Sequence, residues 1–360
     1  MAQSTPGTGG TSFDNSKRVW PNELNIFFAL IVIIAIFETL GQTLPYMNEQ
    51  SFLFDTRDRF DSIFNEARLR IIILQVSIIG IIALGVTQVI ISGGIDLSSG
   101  PLVGATAMIA MSFAQTELVN GGLNPKAVFG PWAFDLPVLI PIIVALAFGA
   151  MIGAINGSLI AFTRIPPFIA TLGMFLICRG IAQAWTRGKP VSFPTEGYAA
   201  LGSGMMPVYW FIGLAVVFHL LLKYTVYGKH TYAIGSNEDA ARMSGINVQK
   251  HKVMVYVIAS MLAAFAAVIL SSKNLTAQSG MGIFYELYAI AMAVIGGVSL
   301  TGGRGSVIGT VLGAMVFGVI QSGFTYIKLD AYFQLMAMGI IIISAVVLDK
   351  VRQERAISRR

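Results

Sequence analysis

Ten stretches of this chain are long and apolar enough to cross a lipid bilayer, and that leaves few folds open to it. They lie near 22–43, 71–91, 101–116, 137–162, 166–186, 207–224, 253–271, 284–300, 306–324 and 331–349, close to the roughly 20 residues a helix needs to span hydrocarbon. Only 12% of the 360 residues are charged and 55% are hydrophobic, where a soluble domain carries about 25% charged residues; mean hydropathy is +0.73. Backbone polar groups must be satisfied within the segment at that depth, so runs of this kind are expected to be helices. The expected fold is an all-α integral membrane protein with about ten transmembrane helices, some of them broken. It forms a single transmembrane domain over 21–349, flanked by a cytoplasmic N-terminus (1–20) expected to be disordered and a basic cytoplasmic tail (350–360). Residues 1–16 are polar and lack the basic start and apolar core of a secretory signal.

Charge placement orients the chain. With the N-terminus inside, 14 Lys and Arg residues fall in inner segments and 9 in outer ones, with Arg179 inside a span, so both termini are expected to face the cytoplasm. Trp20, beside Lys17 and Arg18, would anchor the first span at the interface. The net charge of +6 is that of basic cytoplasmic loops and not of a nucleic-acid surface. A single cysteine, Cys178, excludes an internal disulfide and a thiolate metal cluster. His219, His230 and His251 have no ligand spacing, so no metal site is expected. The chain has no paired carboxylates, no nucleophile with a base, and no GxxxxGK[ST] phosphate loop. It reads as a protein without a catalytic site or cofactor of its own; any ATP must be hydrolysed by another chain.

Two polar phrases interrupt the apolar pattern. SGGIDLSSGP (92–101) and IGGVSLTGGR (295–304) align as GGIDLSSG on GGVSLTGG. Their glycines, Gly93, Gly94, Gly296 and Gly297, free the backbone from helix geometry. Asp96 and Ser98, and likewise Ser299 and Thr301, can accept bonds from the N–H groups opening the next helix. A carboxylate in a span costs about 2.5–3.5 kcal/mol on insertion scales, so Asp96 is either a cap near the cytoplasmic boundary, a gate or substrate contact, or both. The phrases follow spans of the same direction, six spans apart; they are either non-inverted repeats or two independent breaks. Paired glycine interruptions in the two halves of a chain point to a transport pathway.

Two polar segments invite local predictions. In the long cytoplasmic loop 225–252, NEDAARMSG (237–245) reads as a short helix. Asn237 is its N-cap, Glu238 and Asp239 lie against the positive dipole end, and Gly245 stops it. Ala240 and Ala241 are small enough to let it lie in a partner's groove, and Arg242 offers a charged contact. In 55–70, Phe60, Ile63, Phe64 and Ala67 share one helical face, predicting an amphipathic helix on the outer membrane surface, able also to dock an external partner.

Across 71–349 the chain resembles the permease subunits of bacterial ABC importers for ribose, xylose, arabinose, galactose, fructose and inositol. The resemblance rests on VIISGGIDLSSG, NGSLIAFTRIPPFIATLGMFLICRGI, YAIGSNEDAARMSGINV and IFYELYAIAMAVIGGVSLTGGRGSVIGTVLGA in that order. It implies a type II importer permease fold in the bacterial inner membrane, working as a homodimer. A periplasmic binding protein would deliver the sugar, and cytoplasmic ATPase subunits holding ATP and Mg would drive alternating access. The family's coupling helix corresponds to about 236–246, with Asn237, Glu238, Ala240, Ala241, Arg242 and Gly245. The pathway is expected near Phe168, Thr171 and Arg179, and along spans eight to ten with Glu286. Arg179 would either snorkel outward or line a polar cavity. Tyr288 stands where the family usually has an aspartate. With the long segment 44–70 it tilts the substrate toward a hexose or inositol, though pentoses stay open. Three other readings remain: a branched-chain amino acid permease, an ion-coupled transporter using Glu38, Asp96, His219 and Glu286, and a membrane scaffold.

Overall fold

A computed structural model of the chain describes residues 22–43, 51–54 and 63–357. Every one of the ten apolar runs is helical. In chain order the helices are α1 (Asn22–Thr43), α2 (Glu66–Ile91), α3 (Ser99–Ser112), α4 (Leu139–Thr163), α5 (Pro167–Ala184), α6 (Glu196–Ala200) and α7 (Met206–Tyr224). They continue as α8 (Val226–Ser236), α9 (Glu238–Met243), α10 (Val248–Asn274), α11 (Tyr285–Ile295), α12 (Val307–Tyr326) and α13 (Ala331–Ile357). Two-residue strands make two small antiparallel pairs, β1 (Leu118–Val119) with β2 (Gly122–Leu123), and β3 (Val191–Ser192) with β4 (Thr276–Ala277).

Among the described residues, seven helices are long and apolar enough to span: α1, α2, α4, α5, α7, α10 and α12. The shorter apolar helices are α3, α11 and the Ala331–Ser344 part of α13. At 1.5 Å per residue, the 14 residues of α3 reach about 21 Å and the 11 of α11 about 16 Å, well short of a ~30 Å hydrocarbon layer. Both are half-spans, and each adjoins one of the glycine phrases. These are the broken helices the sequence implied, and the chain is an all-α, multi-pass integral membrane protein.

The helices sort into two layers by which side chains they expose. α3 lies at the centre with all fourteen residues buried, packed by α10, α5, α4 and α11. In α2 and α10, 67% of the apolar window is buried, against 11% in α1. The outer helices turn large apolar side chains outward, among them Phe27 and Phe28 on α1, Ile143 on α4, Leu176 on α5 and Ile212 on α7. In water such a surface would aggregate; in a bilayer it is the solvated face.

Since lipid tails give no hydrophobic force between helices, close packing holds them together. Gly149, Gly153 and Gly157 recur every four residues, on one face of α4, and that face meets α10. A Cβ on Gly153 would lie 2.5 Å from the Tyr256 carbonyl and 2.6 Å from Val257 Cα. Polar rungs complete the interior. Thr87 and Thr310 bond at 2.7 Å between α2 and α12, and Tyr227 donates to Gln88 at 2.7 Å from α8 to α2.

Three expectations change here. Most of loop 225–252 is helical, since α8 and α9 fill its centre and α10 begins at Val248. In 63–70 the amphipathic helix is absent before Glu66. Phe64 instead bridges to Phe54, their rings 5.5 Å apart, and Asn65 caps α2 by accepting the Arg68 N–H at 3.2 Å. The rest of that segment, 55–62, lies outside the described residues, as do the N-terminal segment 1–20 with Trp20 and the last three residues of the tail. Glu38, considered as an ion relay, instead accepts the backbone N–H groups of Phe52, Leu53 and Phe54 at 2.9–3.3 Å. Arg68 stands over the Tyr326 ring beside it at 4.6 Å.

Gly153→Leu should destabilise the chain by roughly 1–3 kcal/mol, read as a lowered unfolding temperature in detergent. Gly173→Leu, whose Cβ would meet nothing within 4 Å, should leave that temperature unchanged.

Candidate functional site

Both glycine phrases end their helix in the same way. After α2, Gly93 takes φ +83 and donates to Ile90 O at 2.9 Å, while Gly94 donates to Val89 O at 2.9 Å. After α11, Gly297 takes φ +83 and donates to Val294 O at 2.9 Å, while Val298 donates to Ala293 O at 3.0 Å. Each is a Schellman closure. The aligned glycine pairs are nevertheless out of register: the left-handed residue is the first of the pair in one phrase and the second in the other. The remaining glycine serves close approach. A Cβ on Gly94 would sit 2.5 Å from the Tyr256 hydroxyl, and one on Gly296 would sit 2.5 Å from Gly309 C at the foot of α12.

The capping expectations need correcting in part. Asp96 Oδ1 accepts the N–H of Ser98 at 2.8 Å and its hydroxyl at 2.6 Å, but the Ser98 side chain caps nothing in α3. In the second phrase Ser299 and Thr301 bond each other at 2.9 Å. α12 starts only after Gly302, Gly303 and Gly305, all at positive φ, have lengthened the loop, and its N-cap is Ser306, which accepts the Gly309 N–H at 3.0 Å.

Asp96 is fully buried within a shell drawn from three other helices. Asn156 of α4 donates to the Ser98 hydroxyl at 2.9 Å, Tyr256 of α10 donates to Ile95 O at 3.2 Å, and Thr171 of α5 lies 3.4 Å from the same carbonyl. Asp96 Oδ2, Ser99 Oγ, Asn156 Oδ1, Thr106 Oγ1 and Glu286 Oε2 are buried with no hydrogen-bond partner among the described residues. Glu286, in the first turn of α11, presses on Gly100 of α3, where any Cβ would overlap its Oε2. One turn on, a Cβ at Gly104 would stand 3.4 Å from the Arg179 guanidinium. Arg179 is held by backbone acceptors. It donates to the carbonyls of Ser279 at 2.8 Å and Met281 at 3.3 Å, fixing the loop before α11. Phe168, in the first turn of α5, is 51% exposed. Tyr288 packs against Phe317, ring centroids 5.1 Å apart.

A junction that sequence reasoning missed links these phrases to α9. Gly303 N–H donates to Ile91 O at 2.8 Å, tying the second phrase to the end of α2. Gly235, in the last turn of α8, fits against both: a Cβ there would strike Ile91 O and lie 2.6 Å from Gly303 N. A Cβ at Gly302 would be 2.8 Å from Gly235 O and 3.1 Å from Gly93 Cα. Three chain segments thus meet backbone to backbone.

α9 begins three residues after Gly235, capped at both ends. Asn237 accepts the Ala240 N–H at 2.9 Å. Gly245 (φ +86) donates to Arg242 O at 3.0 Å and Ile246 to Ala241 O at 3.2 Å, another Schellman closure. Ala241 is buried against Ile234 and Val248, so it does not present a surface as the sequence suggested; Ala240, Arg242 and the 84% exposed Met243 do. Glu238 braces the helix, reaching Arg242 at 3.0 Å and Lys252 of α10 at 2.6 Å. Partial burial pushes its carboxyl up, but Lys252 and then Arg242 outweigh that and hold it below the usual carboxylate range. A depressed pKa stabilises the fold at neutral pH and loses that effect as acid protonates the group. Hydrogen exchange at α9, corrected for intrinsic rates, should therefore show more opening as pH falls through the mid-4s and below. Glu238→Gln should open α9 already at neutral pH and remove that pH dependence.

A family model described as the permease component of the branched-chain amino acid transport system matches residues 68–346. The ribose import permease of Escherichia coli K12 is 35% identical over 93% of this chain and 96% of its own length. The galactose/methyl galactoside import permease of the same strain is 39% identical over 79% of this chain and 86% of its own. The ribose import permease of Bacillus subtilis strain 168 is 37% identical over 77% and 82% respectively. No solved structure matches. The buried half-spans and the doubly capped helix below them thus occur in a chain that belongs to the bacterial ABC import permeases, in the branch that holds the ribose and galactose proteins.

Proposed function

We propose that this chain is the membrane-spanning subunit of an ATP-driven importer that brings a monosaccharide or cyclic polyol into the cytoplasm. The observation that carries this reading is the junction at Gly235. It joins an exposed, rigidly capped α9 to both glycine phrases, the first of which leads into α3, whose residues are all buried. In this reading α9 is the coupling helix. A separate ATPase subunit, holding ATP and Mg, presses on Ala240, Arg242 and Met243, and the push passes through Gly235 to Ile91 and Gly303 as a rigid-body displacement. The chain itself has no catalytic site. It works as a pair with a second copy in the inner membrane, both termini in the cytoplasm, and receives its cargo from a periplasmic binding protein.

The cargo class follows from the relatives named for ribose and galactose, and from the chemistry around α3. Asp96, Ser99, Asn156, Thr106 and Glu286 offer acceptors and hydroxyls that lack partners among the described residues. Leaving such groups unpaired costs about 1–3 kcal/mol each, and the hydroxyls of water or of a sugar satisfy them as the path opens. A hexose or inositol is the substrate we favour. The family description itself favours a branched-chain amino acid, so leucine belongs in the test.

Proteoliposomes holding the chain with its ATPase and binding protein should accumulate a labelled sugar or inositol only with internal ATP; accumulation without ATP, or of leucine alone, overturns the reading. In the same assay Gly235→Ala should lower uptake by about tenfold or more, since a misfit of ~1.4 kcal/mol suffices for that factor, while the ATPase still binds. Gly213→Ala, in open space on α7, should transport normally.

A further inference from the structure

At the α9 end of the molecule a cavity of about 510 Å³ opens between α7, α8 and the start of α12, lined by His219, Leu222, Lys223, Lys229, Tyr232 and Ser306. Its wall is mostly apolar, and its charge comes from two cations. Neither Lys223 nor Lys229 has a carboxylate partner among the described residues; Lys223 only stands over the Tyr224 ring at 5.2 Å. The nearby acid, Glu23 of α1, is already engaged, accepting the Ser306 hydroxyl at 3.0 Å. Tyr232 likewise gives its hydroxyl to Gly305 O at 2.8 Å.

What leads into the cavity is equally informative. Ile212, Val216, His219 and Lys223 lie at i, i+4, i+7 and i+11, one face of α7, and Ile212 and Val216 are exposed. On α12, which packs against both α7 and α1, Ile308 is 47% exposed, while Val311 and Met315 are packed in part against the core. The exposed apolar track on α7, with Ile308 at the foot of α12, therefore ends at a pair of lysines that lack carboxylate partners among the described residues. A soluble anion would use the lysines and leave the track unexplained; a neutral lipid would use the track and leave the lysines unpaired.

We infer that this cavity is a binding site for the headgroup of an anionic phospholipid, whose acyl chains lie along α7, past Ile308 at the foot of α12. Lys223 and Lys229 hold the phosphodiester from two helices, with His219 beside them, and the lipid bridges α7 and α8 to the foot of α12. Because Tyr232 and Ser306 on that rim bond Gly305 and Glu23, an occupied site stiffens the base on which the second glycine phrase rests. The leaflet is the cytoplasmic one under the orientation proposed above. The site itself requires only that the chain span a membrane.

The test uses the full chain, stripped of lipid in detergent and titrated with phosphatidylglycerol or phosphatidylcholine, with native mass spectrometry reading bound lipid. Phosphatidylglycerol should be retained in preference to phosphatidylcholine. Lys223→Gln with Lys229→Gln should weaken it on the order of thirtyfold, the effect of two lysines near an anionic surface. Lys250→Gln, a cation of the same end outside the cavity, should change nothing, and excess inorganic phosphate should not displace the lipid. The inference is overturned if the double variant keeps the lipid as wild type does, or if Lys250→Gln weakens it equally. Displacement by phosphate would reveal a soluble-anion site instead. A lipid-free dimer that shields both lysines from acylation would show that a second copy occupies the groove. Retention is read without ATP, ATPase or sugar, so its failure is separate from any failure of the transport reading.

Discussion

A helix that stops inside a bilayer leaves carbonyl groups with no water to bond, and the whole interior of this protein is arranged around two such stops. Each is closed by the same pair of backbone bonds, from Gly93 and Gly94 in one case and from Gly297 and Val298 in the other. Those closures require a residue at positive φ, which only glycine adopts without steric cost. Once the stops are closed, α3 and α11 can be half the length of a span and still sit in hydrocarbon. Because they are short, irregular backbone reaches the centre of the molecule, and at the first phrase α4, α5 and α10 supply side chains that bond it. Asn156, Thr171 and Tyr256 are those side chains.

Small residues do the rest. Gly149, Gly153 and Gly157 bring α10 so near to α4 that Tyr256 reaches Ile95, while Asn156 on the same helix reaches Ser98. A bulkier seam would move the two helices apart and leave the first polar phrase unsupported. Packing and polarity are therefore not separate contributions here. The van der Waals fit of α4 on α10 sets the hydrogen-bond geometry of the inner loop, and the acceptors of Asp96 and Asn156 that have no partner among the described residues are what remains when that loop has used its available donors.

How much of this could be read beforehand depended on range in sequence. Local signals were dependable. All ten apolar runs became helices, and Asn237 and Gly245 cap α9 as their spacing implied, because a cap involves residues three or four apart. Signals that depend on the fold were misread. GGIDLSSG and GGVSLTGG look superimposable, yet the positive φ falls on the first glycine of one pair and the second of the other. What lies across from each, Tyr256 or Gly309, is distant in the chain. Ser299 and Thr301 looked like caps, but the glycines after them push the start of α12 out to Val307. Ala241 looked available for a partner, and is buried because Ile246 folds back in the Schellman turn. Asn156 could have been noticed, being the lone amide in an apolar run; nothing adjacent marked Gly235, whose role exists only once Ile91 and Gly303 have been brought beside it.

The contact at Gly235 also decides what kind of motion the molecule can transmit. Where two helices touch through long side chains, a displacement of an ångström or so is absorbed by rotamer changes and decays within a few residues. Where backbone meets backbone there are no rotamers to turn. A shift of α9 relative to α2 must then move Ile91, and with it the Schellman closure that ends α2 and the loop holding Asp96. Gly303 is bonded to the same Ile91 carbonyl, so the second phrase moves with the first. The two breaks in the membrane are thereby joined to each other and, through Gly235, to the short exposed helix α9. Such a unit has few intermediate positions, because tightly packed interfaces switch between arrangements and do not deform continuously. That property suits the gate proposed above, which must never be open to both sides at once.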